Sequence, residues 1–299
     1  MYYISGFYKF KKITNIKKNK KKLQSYFLQN SIRGTLILSP EGINATLSSK
    51  KKNLDLILDI VKKIFKINNF DSQNISACKF QPFHRGKVKI KKEVVPMGIK
   101  VVKRNLKSHV DPAKWNKLIK DRNTLLIDVR KPFEHNVGSF NKSVNPQVDN
   151  FRGFPEYLKK LNKNKTIAMF CTGGIRCEKA EMYLNKKGFK NVYQLNGGII
   201  NYLKIIKKSK SLWKGECYVF DNRVSIKHGL FPGSFSMCSG CRKPISKKDK
   251  RSNKYEEGVS CPNCHDSLTT SQKERFRMRQ KQINLAKKQG KSHIFQKEF

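Results

Sequence analysis

The sequence predicts a multidomain α/β chain, and three observations carry that prediction. Residues 1–100 run in the order β-α-β-β-α-β. Residues 108–208 alternate buried strands with helices, the pattern of a parallel sheet covered on both faces in a doubly wound arrangement. Residues 209–267 lose this periodicity and instead carry two Cys-x-x-Cys pairs. A chain of 299 residues has room for two or three such domains, each with its own core.

In the first module Met1–Phe10 reads as a strand. A lysine-dense stretch from Lys9 to Lys22 leads into a helix near Leu23–Gln29. Gly34–Leu38 and Ile43–Ser48 are β-rich runs, separated by the turn Ser39-Pro40-Glu41-Gly42. Leu54, Ile57, Leu58, Val61 and Ile64 recur at helical spacing. Two further β-like runs follow, Ile75–Phe80 and Lys87–Ile90, which completes a ferredoxin-like order.

In the second module Asp111-Pro112 opens a helix, with Asp as N-cap and Pro in the first turn. Thr124–Val129 is a continuous apolar strand, Phe154–Leu161 is helical and Thr166–Phe170 is a second buried strand. Cys177–Lys187 forms a helix closed by Gly188. Asn191–Leu195 is a strand, Gly197-Gly198 a turn and Ile199–Lys207 a helix. The third module contains a β-like Cys217–Phe220, and residues 268–299 form a basic helix or tail.

The most informative stretch is Cys171-Thr172-Gly173-Gly174-Ile175-Arg176-Cys177, which joins a buried strand to a helix. Backbone amides and the helix N-terminus there favour an anion, so Cys171 is expected to ionise readily. Gly173 and Gly174 let the loop curl around the sulfur, and Arg176 offers a charge and a fork of donors for an anion. Cys177 has two readings, a resolving thiol for oxidised or persulfidated Cys171, or a packed core residue.

Two Cys-x-x-Cys knuckles, Cys238/Cys241 and Cys261/Cys264, are nineteen residues apart. That is the spacing of a four-cysteine zinc ribbon, in which four thiolates suit structural zinc. Four free thiols or a redox pair would show the same residues. His265 stands beside the second knuckle.

The net charge is +44, from 65 Lys and Arg against 21 Asp and Glu. This favours polyanions, nucleic acid or an anionic membrane. Of the 65, 52 are Lys and 13 are Arg, which is also what an AT-rich genome would produce without selection for binding. The basic segments are Lys9–Lys22, Lys87–Lys92, the ribbon region and Arg275–Lys291. Tyr3, Phe7 and Phe80 are candidates for base stacking from the first module's sheet. No secretory signal or membrane-spanning apolar run is visible, so a cytoplasmic protein is expected. The cysteines are spaced as metal and catalytic residues, not as a disulfide framework.

The Cys171 loop resembles the rhodanese active-site loop. Asp128-Val129-Arg130, Glu134 and Gly138 resemble the accompanying rhodanese signature, with Ser139 where that signature has His. Asp128, Arg130 and Glu134 either brace the loop or form ordinary structural ion pairs. Four residues separate Cys171 from Arg176, against five in rhodanese-fold phosphatases, which favours chemistry at one activated sulfur over dephosphorylation.

A closer resemblance rests on Cys171–Ala180 together with motifs elsewhere in the chain. These are Ser39–Ala45, Lys91–Gly98, Phe151–Pro155, Leu195–Ile199 and Trp213–Asp221. Together they are similar to the oxygen-dependent tRNA uridine(34) hydroxylase family. The resemblance implies hydroxylation of the wobble uridine at carbon 5 to 5-hydroxyuridine, with dioxygen as co-substrate and the tRNA anticodon stem-loop as partner. In that reading Cys171 is the catalytic thiolate or carries a persulfide. No flavin or nicotinamide motif is seen. A sulfurtransferase passing persulfide sulfur to an acceptor, and a non-enzymatic RNA-binding protein, are the alternative readings.

Overall fold

The computed structural model describes residues 1–99 and 106–290. Lys100 at the end of the first module, and Lys291 with the rest of the basic tail, lie outside the described residues. The chain divides into two units: residues 1–217 with 227–231, and residues 218–226 with the segment from Pro232 onward.

The first unit begins with β1 (Tyr2–Phe10), α1 (Ile16–Gln29), β2 (Arg33–Ser39), β3 (Gly42–Ser49), α2 (Lys51–Phe65), β4 (Ser72–Cys78) and β5 (Gly86–Ile90). The strands lie in the order β4-β1-β3-β2-β5. The first four have the ferredoxin-like arrangement, and β5 joins the edge parallel to β2. α1 starts seven residues earlier than the sequence expectation at Leu23 and takes in Lys17–Lys22. Lysine is a good helix former, and only Leu23 and Phe27 of this helix are buried, so the lysines need only solvent. β4 covers Ser72–Cys78 instead of Ile75–Phe80, because its register is set by pairing with Tyr2–Tyr8 of β1.

The two faces of this sheet have different occupants. Phe7, Leu36, Leu38, Ile43, Ala45 and Leu47 pack with Leu54, Ile57, Leu58 and Val61 of α2 into one core. Successive side chains alternate faces, so Tyr8 leaves on the side opposite Phe7. This arrangement corrects the expected stacking surface. Phe7 is 2% exposed and stacks on Phe70, Tyr3 packs against the same core, and Phe80 lies beyond the end of β4.

The unit continues with β6 (His109–Val110), α3 (Pro112–Lys120), β7 (Thr124–Asp128), α4 (Pro132–Val137), β8 (Gly138–Phe140) and α5 (Phe154–Leu158). It closes with β9 (Thr166–Phe170), α6 (Ile175–Lys186), β10 (Val192–Leu195), α7 (Gly198–Ile205) and β11 (Trp213–Gly215). Strands β6-β10-β9-β7 form a parallel sheet in that order. Helix α5 ends three residues before the expected Leu161. The helix expected from Cys177 begins at Ile175, so Ile175 and Arg176 are its first turn and the loop before it is only Thr172–Gly174. Asp111 precedes α3, but its carboxylate accepts from Asn196 and does not cap the helix.

A polar seam joins these two sheets. Lys179 on α6 has no exposed side-chain surface and donates to Glu41 at 2.8 Å and Glu93 at 2.6 Å. Both glutamates belong to motifs of the first module. The neighbouring Glu178, equally buried, accepts from Tyr8 Oη at 2.8 Å and contacts His109 Nε2 at 3.1 Å.

The second unit follows β12 (Cys217–Tyr218), whose two residues fall on either side of the division. It contains β13 (Ser225–Ile226), the hairpin β14 (Ser236–Met237) and β15 (Pro244–Ile245), and α8 (Thr270–Lys288). The expected strand Cys217–Phe220 is therefore shorter, and Phe220 is exposed. Thr269 caps α8 in a reciprocal box with Gln272. Arg279 on α8 donates to the carbonyls of Ser239 and Gly258. Among the described residues no helix is long and apolar enough to cross a membrane.

Removing one partner of a buried ion pair strands the other charge. Lys179→Met is expected to lower unfolding free energy by about 3 kcal/mol, measured by urea denaturation, because it leaves Glu41 and Glu93 facing one another.

Candidate active site and metal centre

Cys171 directly follows β9, a strand with four of its five residues buried, so the sulfur enters the loop from inside the core. It is 1% exposed. Every carbonyl from Cys171 to Gly174 has a partner. Cys171 O and Thr172 O accept from the Ile199 and Ile200 amides of α7, at 3.0 and 3.1 Å. Gly173 O accepts from Ser72 Oγ at 3.3 Å, and Gly174 O from the Glu178 amide at 3.2 Å. Turning these carbonyls outward leaves amides facing the sulfur, and Gly174 N–H donates to Cys171 Sγ at 3.2 Å.

Two glycines make that packing possible. Gly198 has φ +68°, and a Cβ there would stand 2.5 Å from Cys171 O and 2.7 Å from Thr172 O. Gly174 has φ +100°, and its Cβ would meet Tyr8 Oη at 3.0 Å. Gly173 has open space around it.

Burial alone would push the Cys171 thiol up. The Cys177 hydrogen bond, the Arg176 charge and the backbone amides of Cys177 and Arg176 outweigh it and lower the pKa from 9.0 to about 6. Burial and the adjacent Cys171 sulfur push Cys177 in the opposite direction, well above the ordinary thiol range. Cys177 therefore stays protonated and serves as a donor to Cys171. Burial also pushes Cys217 up, to about 12, although Arg130 opposes it.

Arg176 corrects the expectation of a free fork. Its Nη1 and Nη2 donate to Glu134 at 2.7 and 2.9 Å, and Nη2 also reaches Thr172 Oγ1 at 3.2 Å. The charge still acts on Cys171, but the paired donors are held by a carboxylate instead of offered to an anion. Glu134 is itself buried. Burial raises its pKa, and the Arg176 charge and hydrogen bond bring it below the usual carboxylate range.

Asp128 and Arg130 form a second buried pair that does not touch the loop directly. Arg130 Nε and Nη2 bind Asp128 at 2.8 and 2.6 Å, and Nη2 also donates to Gly138 O. The guanidinium lies 5.1 Å from the Trp213 ring centroid and 5.9 Å from that of Phe170. Ser139, which stands in place of the signature's His, donates to Asp128 at 2.8 Å, and His135 Nδ1 lies 2.9 Å from the same oxygen. Sequence reasoning missed Tyr8, Ser72, Lys179 and His135. Lys179 and its partners Glu41 and Glu93 all stood inside quoted motifs, but a motif does not say what it touches.

In the second unit Cys238, Cys241, Cys261 and Cys264 bring their sulfurs within 4.8 Å of one another, and the set could hold a metal ion. The Sγ–Sγ separations are 3.9 Å for Cys238–Cys264, 3.7 Å for Cys241–Cys261 and 3.8 Å for Cys261–Cys264. Tetrahedral zinc with bonds of about 2.3 Å would require edges of about 3.8 Å, so the sulfurs fit such an ion. Gly240 lets its knuckle turn, since a Cβ there would lie 2.3 Å from Val259 O. His265 is partly exposed and pairs with Asp266, outside the sulfur cluster.

A thiol ionised in the folded state stabilises that state above its usual pKa of 9.0, and the gain is lost as pH falls through about 6. Alkylation of Cys171, followed on its own peptide by mass spectrometry, is expected to be half-maximal near pH 6, with Cys177 unmodified there.

Residues 2–94 match the UPF0176 acylphosphatase-like domain, and residues 111–204 match the rhodanese-like domain. A tRNA uridine(34) hydroxylase of Pelagibacter ubique is 67% identical over 300 residues, covering all of both chains. One of Teredinibacter turnerae is 43% identical, covering 98% of this chain and 92% of that protein. A rhodanese-related protein of Thermoplasma volcanium is 29% identical with a TM-score of 0.28, covering 32% of this chain and 89% of the other. Full-length identity at this level, together with both domain matches, shows that the chain belongs to the tRNA uridine(34) hydroxylase family.

Proposed function

We propose that this chain hydroxylates uridine 34 of tRNA at carbon 5, in the cytoplasm, with the Cys171 thiolate as nucleophile. The observation that carries the reading is a sealed sulfur of low pKa, held by the Gly174 amide in a chain of this family. The thiolate adds to carbon 6 of uracil, which places electron density at carbon 5. Carbon 5 is then oxidised and loses its proton, and the carbon–sulfur bond breaks to return the thiolate. With dioxygen as co-substrate, one oxygen atom enters carbon 5. The other leaves as water, using two electrons and two protons from a thiol-class reductant.

The remaining site residues have supporting roles. Arg176 stabilises the thiolate, Glu134 and Thr172 hold Arg176, and Asp128 with Arg130 fixes the strand end behind them. The target base has to leave its stack to reach a sulfur this deep, and an anticodon loop permits that cheaply. Exposed basic side chains such as Arg275, Lys281, Lys287 and Lys288 on α8 suit the phosphates of a tRNA.

Structural zinc is proposed for the four-cysteine set. Bound zinc would supply folding energy to the second unit and take no part in the oxidation. Protein purified without chelator is expected to contain one zinc per chain by elemental analysis, and chelation is expected to lower the melting temperature. A ratio near zero in native protein overturns the assignment.

The test of the reaction is Cys171→Ser, with nucleoside mass spectrometry of tRNA from cells carrying either form. 5-Hydroxyuridine is expected to vanish in the variant. A near wild-type level overturns the thiolate mechanism, and loss of thiolated bases instead indicates sulfur transfer.

A further inference from the structure

We propose that Ser72, on β4 of the N-terminal sheet, is a positioning residue for the Cys171 sulfur, acting through the Gly173–Gly174 peptide. The inference rests on the reading of Cys171 as the reactive group and assigns a role to a domain outside the rhodanese fold.

The geometry follows from the peptide plane. In a trans peptide the C=O and the following N–H point to opposite sides of one rigid unit. Gly173 O accepts from Ser72 Oγ at 3.3 Å, and Gly174 N–H, across the same plane, donates to Cys171 Sγ at 3.2 Å. Ser72 therefore holds the outer end of the unit whose inner end holds the sulfur. Gly174 has φ +100° and Gly173 has open space around it, so this peptide sits between the two most freely rotating residues of the loop. The peptides on either side are restrained by backbone amides, from Ile199 and Ile200 of α7 and from Glu178 of α6. The Gly173 carbonyl is held by a side chain, and that side chain comes from the other domain.

Its placement is set by register. Ser72 pairs with Tyr8 across β4 and β1, and Asn74 pairs with Gly6 two residues on. Side chains two apart share a face. Tyr8, Ser72 and Asn74 accordingly all meet the rhodanese module, at Glu178, Gly173 O and Gly197 O. The titratable groups facing the sulfur are Arg176 and Cys177 from α6, with Glu134 of α4 behind Arg176 and Tyr8 of β1 behind Gly174. α7 presents its backbone at Ile199 and Ile200, and β4 contributes only the neutral Ser72 and Asn74. Ser72 therefore acts on the orientation of a donor and adds no charge.

The test uses the full-length chain purified without chelator. The pH dependence of Cys171 alkylation by iodoacetamide is read on the Cys171 peptide. Ser72→Ala is expected to move the midpoint up by about half a pH unit, with the rate near the parent midpoint falling about twofold. Ser72→Thr, which keeps the hydroxyl, is expected to restore the parent profile. Asn74→Ala loosens the same seam at Gly197 and is expected to leave the midpoint in place. With tRNA, Ser72→Ala is expected to lower kcat and leave KM unchanged. A Ser72→Ala profile that superimposes on the parent overturns the proposal, as does an equal shift in Asn74→Ala. Should Ser72→Ala melt early, Ser72→Cys keeps the size with a weaker donor and carries the same expectation. The alkylation needs no tRNA and no turnover, so its outcome is separate from the Cys171→Ser test of the hydroxylase reading.

Discussion

A charged sulfur shut away from water must be stabilised by groups that are already in place, because no solvent can reorganise around it. Cys171 is 1% exposed, yet its pKa lies below that of an ordinary thiol in water. That combination requires fixed donors, and each donor is fixed by something else. The Gly174 amide is oriented by its own peptide, whose carbonyl is bound at Ser72. Cys177 is held by the first turn of α6 and kept protonated by its burial. Arg176 is held by Glu134 and Thr172. A free guanidinium beside the sulfur would bind anions from solvent, whereas one paired fork-to-fork with a carboxylate acts on the sulfur mainly through its field.

The N-terminal sheet is consequently part of the active-site wall as well as a separate folding module. One face is an ordinary apolar core against α1 and α2. The other carries Tyr8, Ser72 and Asn74 against the loop and its neighbouring turn. Lys179 extends the same seam one helical position beyond Glu178, clamped by Glu41 and Glu93. These contacts explain why motifs far from Cys171 in the sequence belong to one site. Ser39–Ala45 and Lys91–Gly98 supply the two carboxylates, and Leu195–Ile199 supplies the glycine that lets α7 touch the loop.

Much of this was legible in the sequence for a physical reason. Local rules act over a few residues, and the strand–Cys–Gly-Gly–helix run, the helical periodicity of Leu54–Val61 and the paired Cys knuckles are all local. What was not legible depends on register. Whether Phe7 or Tyr8 faces the helices is decided by pairing across the sheet, and a shift of one residue would reverse it. Of the expected stacking residues, Phe7 is lost to the core for that reason, whereas Phe80, beyond the end of β4, is exposed. The Arg176 fork was misjudged because its partner, Glu134, lies 42 residues away on α4. At Ser139 the hydroxyl supplies a donor to Asp128, a contact that the residue's identity alone did not reveal.

The arginines have a bearing on the lysine excess. With 52 Lys against 13 Arg, Lys is the ordinary cation of this chain. Arg130, Arg176, Arg223 and Arg277 each bind one carboxylate with two nitrogens. An ammonium group cannot make such a two-point, planar contact. The scarce cation therefore works as a marker of shape in this chain. Where composition has drifted toward one residue, the positions still held by its near-equivalent show where geometry, and not charge alone, is required.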